Sequence, residues 1–117
     1  MTITPNPTSK STAPHYTWGG DCDGWRLVDR HDLSIIHERM PAGRREARHS
    51  HARSRQYFFV LHGALSLEVE GATHVLGPND GLEIAPGTAH QAINAGAEPV
   101  EFLVISHPTT QGDRDPA

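Results

Sequence analysis

Apolar residues in this chain recur at every second position, in short runs broken by Gly, Pro and Asn roughly every 8–12 residues. The run Ala64 to Glu70 shows the pattern best. Leu65, Leu67 and Val69 fall on one side, and Ser66, Glu68 and Glu70 on the other. Successive side chains of a strand point to opposite faces, so this run reads as a strand with one buried face. Glu70-Gly71 reads as a hairpin turn into Thr73-His74-Val75-Leu76. Tyr57 to Leu61 is apolar on both faces and suits a central strand. Trp25 to Val28, Leu33 to Ile36, Leu82 to Ile84, His90 to Asn94 and Val100 to Ser106 supply further strands. No window has a 3.6-residue period, although a short helical turn near the termini is compatible with the pattern. The reading is an all-β fold, a sandwich or a small barrel.

Length limits that fold to one domain, since the chain has 117 residues. Residues 1–17 are rich in Pro, Thr and Ser and repay little ordering entropy, so they read as a mobile arm. Residues 109–117 are similarly polar and read as a tail that frays after Pro108. Residues 18–108 are then the barrel domain, small enough to gain from a homodimer contact. One Cys excludes an intrachain disulfide framework, and Cys22 has no sequence partner that would make it a catalytic thiolate. With no leader pattern and no long apolar run, a cytoplasmic protein without a membrane span is expected. A net charge of -4 argues against a general nucleic-acid binder.

Two compositional features need a location. The chain has nine His, and of its ten cations only Lys10 is a lysine. Arg44, Arg45, Arg48, Arg53 and Arg55 crowd one stretch, whereas no Lys or Arg stands between Gln56 and Gly112. Guanidinium forks match carboxylates and phosphates, so this block suggests anion capture, or else a charged edge that discourages sheet aggregation.

His49-Ser50-His51 places two imidazoles on one face of a strand, roughly 6–7 Å apart, near enough to converge on one ion. Alone the pair is equally a surface feature. Its surroundings are more specific. Gly43 precedes His49 across five residues, Gln56 follows His51 across four, and Gly63 follows Gln56 across six. Gly87 precedes His90 across two residues, and Asn94 follows His90 across three. This spacing resembles the two motifs of the cupin superfamily. The resemblance implies a small double-sheet jelly-roll barrel with a divalent metal inside. Carried over by position, the ligands are His49, His51, Gln56 and His90. Asn79 and Ala85 stand where the second motif has Gly and Pro.

Gln56 occupies the place of the motif's Glu. Three neutral imidazoles and a neutral amide leave the full double charge on an ion, which makes it a stronger Lewis acid and favours an anionic ligand. Zn, Ni, Mn and Fe(II) all suit such donors. Gln56 is read either as a direct ligand or as a residue behind a three-His site. The same set is similar to that of small pectin-catabolism cupins that linearise unsaturated monouronates. Their ending, a Ser-Pro step followed by Arg with a catalytic Asp nearby, is loosely matched by Ser106, Pro108 and Arg114, but no Asp stands on the last strand. His107 and Glu83 are the proton-transfer candidates in its place, with Arg114 as their cationic partner. Phe58 shares a face with Gln56 and should line the pocket, with Arg44 and Arg55 as anion-binding candidates. The function expected is a metal-dependent isomerase, lyase or ring-opening enzyme acting on a small anionic molecule. The alternatives are an Fe(II) dioxygenase of cupin type and a non-catalytic cupin that binds a metal or small molecule.

Overall fold

A computed structural model describes residues 5–117 of the chain. Among these residues it has eleven strands and no helix. They are β1 (His15–Trp18), β2 (Cys22–Asp29), β3 (Ser34–Met40), β4 (His49–Ser50), β5 (Arg55–His62) and β6 (Leu65–Val69). The remaining strands are β7 (Ala72–Leu76), β8 (Gly81–Ile84), β9 (His90–Ile93), β10 (Val100–His107) and β11 (Asp115–Pro116). Two antiparallel sheets face each other. One has six strands in the order β1-β2-β3-β10-β5-β8, and the other has five in the order β11-β4-β9-β6-β7. This is the expected jelly-roll barrel, and the expected strands all form. No described residue belongs to a helix long and apolar enough to cross a membrane.

The hairpin reading of Glu70-Gly71 is realised in detail. Both residues have positive φ, at 50° and 89°, which is the turn whose twist matches a two-residue β-hairpin. Val69 and Ala72 pair directly across it.

Burial follows the alternation. On β10, Val100, Phe102, Val104 and Ser106 face inward, and on β5 Gln56, Phe58 and Val60 do so. Ladder register aligns these faces into rows. Phe102 lies opposite Val60, Val104 opposite Phe58, and Ser106 opposite Gln56. The interior therefore changes character along the barrel. Met40, Val60, Leu65, Leu67, Val100 and Phe102 are fully buried and make an apolar plug at one end. Ser34, Ser106 and Gln56 form a buried polar row toward the other end. Burying the apolar plug is the main driving force, at roughly 25 cal/mol per Å² of apolar surface removed from water.

Both terminal segments are better tied down than their composition suggests. Residues 1–4 of the expected arm lie outside the described residues. Of the rest, Ser9 accepts a hydrogen bond from the Ala13 N–H at 2.8 Å, Lys10 pairs with Glu101 at 2.7 Å, and His15 to Thr17 pair with β2. Tyr16 lies over Gly24, where a Cβ would come within 2.3 Å of its ring. That missing side chain is what lets β1 join the sheet. At the other end, Asp115 and Pro116 pair with β4, and Asp113 is buried. The expectation of a tail fraying after Pro108 is thus corrected: main-chain hydrogen bonds, which composition does not reveal, hold it.

Gly63 and Gly71 separate two costs of adding a side chain. Both have positive φ, 83° and 89°. At Gly71 a Cβ meets nothing within 4 Å, whereas at Gly63 it would lie 2.6 Å from the Pro99 carbonyl oxygen. Gly71→Ala should cost about 1–2 kcal/mol, the cost of left-handed backbone alone. Gly63→Ala should cost clearly more. Urea unfolding of both variants checks this, and equal losses would show that Pro99 yields freely.

Candidate metal centre

Sheet pairing brings the motif histidines together. His49 on β4 is the direct ladder partner of His90 on β9, and His51 follows β4 immediately. The nearest potential ligand atoms of His49, His51 and His90 all lie within 4.8 Å of one another, and all three residues are buried.

Each ring is oriented by the same device. The Nδ1–H of His49 donates to the Ala47 carbonyl at 2.8 Å, that of His90 to Thr88 at 2.9 Å, and that of His51 to Asp113 at 2.5 Å. A proton on Nδ1 leaves a bare lone pair on Nε2. Ligating imidazoles are held in this way by a partner behind the ring. Gln56 is held similarly: its Nε2 donates to Ser106 Oγ at 3.1 Å. Among the described residues, the buried side-chain polar atoms without a hydrogen-bond partner are His51 Nε2, His90 Nε2 and Gln56 Oε1. Each such group costs about 1–3 kcal/mol if left unpaired. The three imidazoles form a donor set that fits a divalent cation, and the Gln56 amide oxygen, on a residue lining the same cavity, is left without a partner. Zn, Ni, Mn and Fe(II) all accept nitrogen and oxygen donors, so the set does not choose among them. Burial pushes His49 down to about 4, with Arg114 and the other two imidazoles adding to the shift. Burial also holds His90 below its ordinary value. Both rings are therefore neutral at pH 7, as ligation requires.

Asn94, the last motif residue, is structural. Its Nδ2 donates to Met40 and Glu98 carbonyls at 2.9 and 2.8 Å, and its Oδ1 accepts from the Gly96 N–H at 3.0 Å.

A cavity of about 500 Å³ opens beside this centre. His49, His51, Gln56 and Phe58 line it, as expected, and Phe58 sets its ring edge-on to His90 at 6.0 Å. Arg114 lines it too. The other four candidates do not reach it. His107 follows the inward-facing Ser106, so it points outward and donates from Nδ1 to the Asp32 carbonyl at 2.6 Å. Arg55 precedes the inward-facing Gln56, and it pairs with Glu83 at 2.7 Å on the outer surface. Arg44 forms a two-pronged pair with the exposed Asp21 at 2.8 and 2.9 Å. Strand parity decides against His107, Glu83 and Arg55, and an ion pair engages Arg44.

The acids that do line the cavity are Glu38 and Glu46. Burial pushes Glu38 up to about 8, the Glu46 carboxylate raises it further, and Arg114 opposes both. Burial pushes Glu46 up to about 7, against the Ala92 N–H bond and Arg114. Tyr16 and Arg26 complete this side, with the guanidinium 4.3 Å over the Tyr16 ring. Glu38 was legible in principle. Ser34, Ile36, Glu38 and Met40 share the face of β3 that carries the buried Ser34 and Met40, so the pattern puts an acid indoors.

A bound ion should stabilise the fold. At about 100 times its dissociation constant it contributes about 2.7 kcal/mol, which raises Tm by roughly 10 °C in a domain of this size. The experiment is thermal unfolding with Zn2+ and with chelator. The shift should vanish in His49→Ala and His90→Ala and persist in Gln56→Glu. Unchanged metal affinity in Gln56→Ala would remove Gln56 from the donor set.

Comparison with known proteins agrees with the fold and the motif. A family model described as a cupin domain matches residues 36–106. A curated relative from Arthrobotrys oligospora, named an oxidoreductase, is 31% identical over 64 residues, which are 50% of this chain and 25% of that protein. The chain thus spans about a quarter of that relative. KdgF from a Halomonas species superposes with a TM-score of 0.80 at 19% identity, over 89% of this chain and 95% of its own. A sugar phosphate isomerase of the cupin superfamily from Silicibacter pomeroyi superposes with a TM-score of 0.78 at 21% identity, over 89% of this chain and 76% of its own. At these identities the two structures speak for the fold alone. Motif spacing, barrel and family match together place this chain in the cupin superfamily.

Proposed function

We propose that the protein is a metal-dependent enzyme that moves a proton on a small, oxygen-rich anion without net oxidation, as in isomerase, lyase or ring-opening chemistry. The observation that carries this reading is one cavity lined by His49, His51 and Gln56, with His90 clustered behind them, by the acids Glu38 and Glu46 and by Arg114. A bound dication would polarise a substrate oxygen as a Lewis acid. Arg114 supplies a fixed positive charge for an anionic group. Glu38 holds its proton at neutral pH, so it can donate to an oxygen on which negative charge develops. Phe58 keeps one wall of the cavity apolar, which strengthens these charges.

The oxidoreductase name of the curated relative supports a second reading, Fe(II)-dependent oxygenation at the same centre. One experiment separates the two. Metal content is measured, and the loaded protein is offered unsaturated monouronates, keto sugars and small hydroxy acids, with products followed by NMR and O2 by electrode. Conversion without O2 uptake is expected. Turnover that requires Fe(II) and O2 would favour the oxygenase, and binding without conversion would leave a sensor or accessory cupin.

The proton on Glu38 has a consequence for stability. Its folded pKa of about 8 lies above the ordinary carboxylate value of 4.5. The folded state therefore binds more protons between those values, and this stabilisation is present below pH 4.5 and is lost as pH rises through about 8. The charged and titratable groups around it are Tyr16, Cys22, Arg26, Glu46 and Arg114. Subtracting the Tm-against-pH curve of metal-free Glu38→Gln from that of the metal-free parent isolates its share. The difference should move against the parent as pH rises from 5 to 8. Parallel curves would show that Glu38 is ionised throughout.

A further inference from the structure

We propose that Asp113 is a positioning residue which clamps the C-terminal segment onto the metal half-site, so that ion binding and closure of the cavity wall are coupled. The inference rests on the reading that the three His hold an ion. Its own basis is a separate set of hydrogen bonds.

The loop between His51 and β5 is three residues long, with His51 just before it and Gln56 at the second position of β5. Three successive N–H groups of this loop point at one carboxylate. Asp113 Oδ1 accepts from Ala52 at 2.7 Å, and Oδ2 accepts from Arg53 and Ser54 at 2.9 Å each. Asp113 is only 4% exposed, so these bonds are sheltered from water. The same residue orients the ligand directly, because its carbonyl accepts the Nδ1–H of His51. Ser54 Oγ adds a bond to the Pro108 carbonyl at 2.6 Å. On its other side His51 is tied by its carbonyl, which accepts from the Gly87 N–H at 2.6 Å. His51 is thus held between the C-terminal segment and the turn that leads to His90.

The segment also forms the cavity wall. Thr109, Thr110, Gln111 and Arg114 line it, and Asp115 and Pro116 then pair with β4 opposite Ser50 and His49. Asp113 is its anchor. If an ion fixes His51, it fixes the acceptor of the His51 proton, and the segment becomes harder to release. By reciprocity, a segment that is already docked raises ion affinity.

The test uses the full chain and Zn2+ alone. Asp113→Ala keeps the carbonyl but removes the carboxylate that docks it, so it should keep a cooperative unfolding transition and lose about 10–100-fold in Zn2+ affinity, the range seen when the support behind a ligand is loosened. Asp113→Asn, which keeps one acceptor oxygen, should recover part of that loss. Nitrogen NMR of the metal-free protein should show His51 losing its Nδ1–H form in Asp113→Ala while His90 keeps it. A general loosening of the barrel would disturb both rings. In the unmodified protein, Zn2+ should slow amide exchange at Ala52, Arg53 and Ser54, and this measurement needs no variant to fold. Unchanged affinity in Asp113→Ala, or exchange at these amides that ignores Zn2+, would overturn the coupling alone. Failure of the unmodified protein to bind Zn2+, Ni2+, Mn2+ or Fe2+ would overturn the metal reading and the coupling with it.

Discussion

His49 and His90 meet across a single antiparallel pair, and the rest of the site is arranged around that meeting. Ladder geometry brings directly opposed side chains close together, so two imidazoles on one face must either repel as cations, bind each other, or share a ligand. Burial removes the first option, because it holds both rings neutral. The carbonyls of Ala47 and Thr88 remove the second. They take the Nδ1 protons, and neither ring keeps a donor for the other. What remains is two lone pairs in one place, with His51 and Gln56 adding theirs.

The barrel supplies the support for this arrangement through its polarity gradient. Leu65, Leu67, Val60, Val100 and Phe102 fill one end completely. Because that plug holds the two sheets together, the other end need not be filled with side chains. The row Ser34, Ser106 and Gln56 can then face a cavity, and titratable groups such as Glu38 can line it. The arginines divide accordingly. Arg44, Arg48 and Arg55 are spent on Asp21, Glu68 and Glu83 at the surface, whereas Arg26, Arg45 and Arg114 line the cavity. An anionic ligand is still favoured, but only one member of the dense Arg block contributes to it.

Where the chain is periodic, its sequence was a sufficient guide. Alternation over β5, β6 and β10 predicts their buried faces, and motif spacing predicts the cluster of His49, His51 and His90, with Gln56 in the lining of the cavity beside it. Parity also explains the failures. Ser106 and His107 are adjacent, so only one can face the cavity, and the choice depends on register with Gln56 rather than on chemistry. The C-terminal segment was illegible for a different reason. β11 has two residues, too few for any period, and Asp113 earns its place through three N–H groups roughly sixty positions away. Backbone donors are the same in every residue except proline, so no residue type announces them.

The two readings of Gln56, ligand or supporting residue, can now be weighed on its hydrogen bonds. A buried amide that serves only structure has both ends satisfied, as Asn94 does in this same barrel. Gln56 has one end satisfied. In the structure its Nε2 donates to Ser106 Oγ, which leaves the other end of the amide over. The leftover end is the oxygen, the only part of the side chain able to bind a cation, and its residue lines the same cavity as His49 and His51. If Ser106 served a purely structural Gln, nothing would require the remaining oxygen to stay unpaired. The asymmetry therefore favours Gln56 as the fourth donor. It also makes Ser106 the residue that aims it.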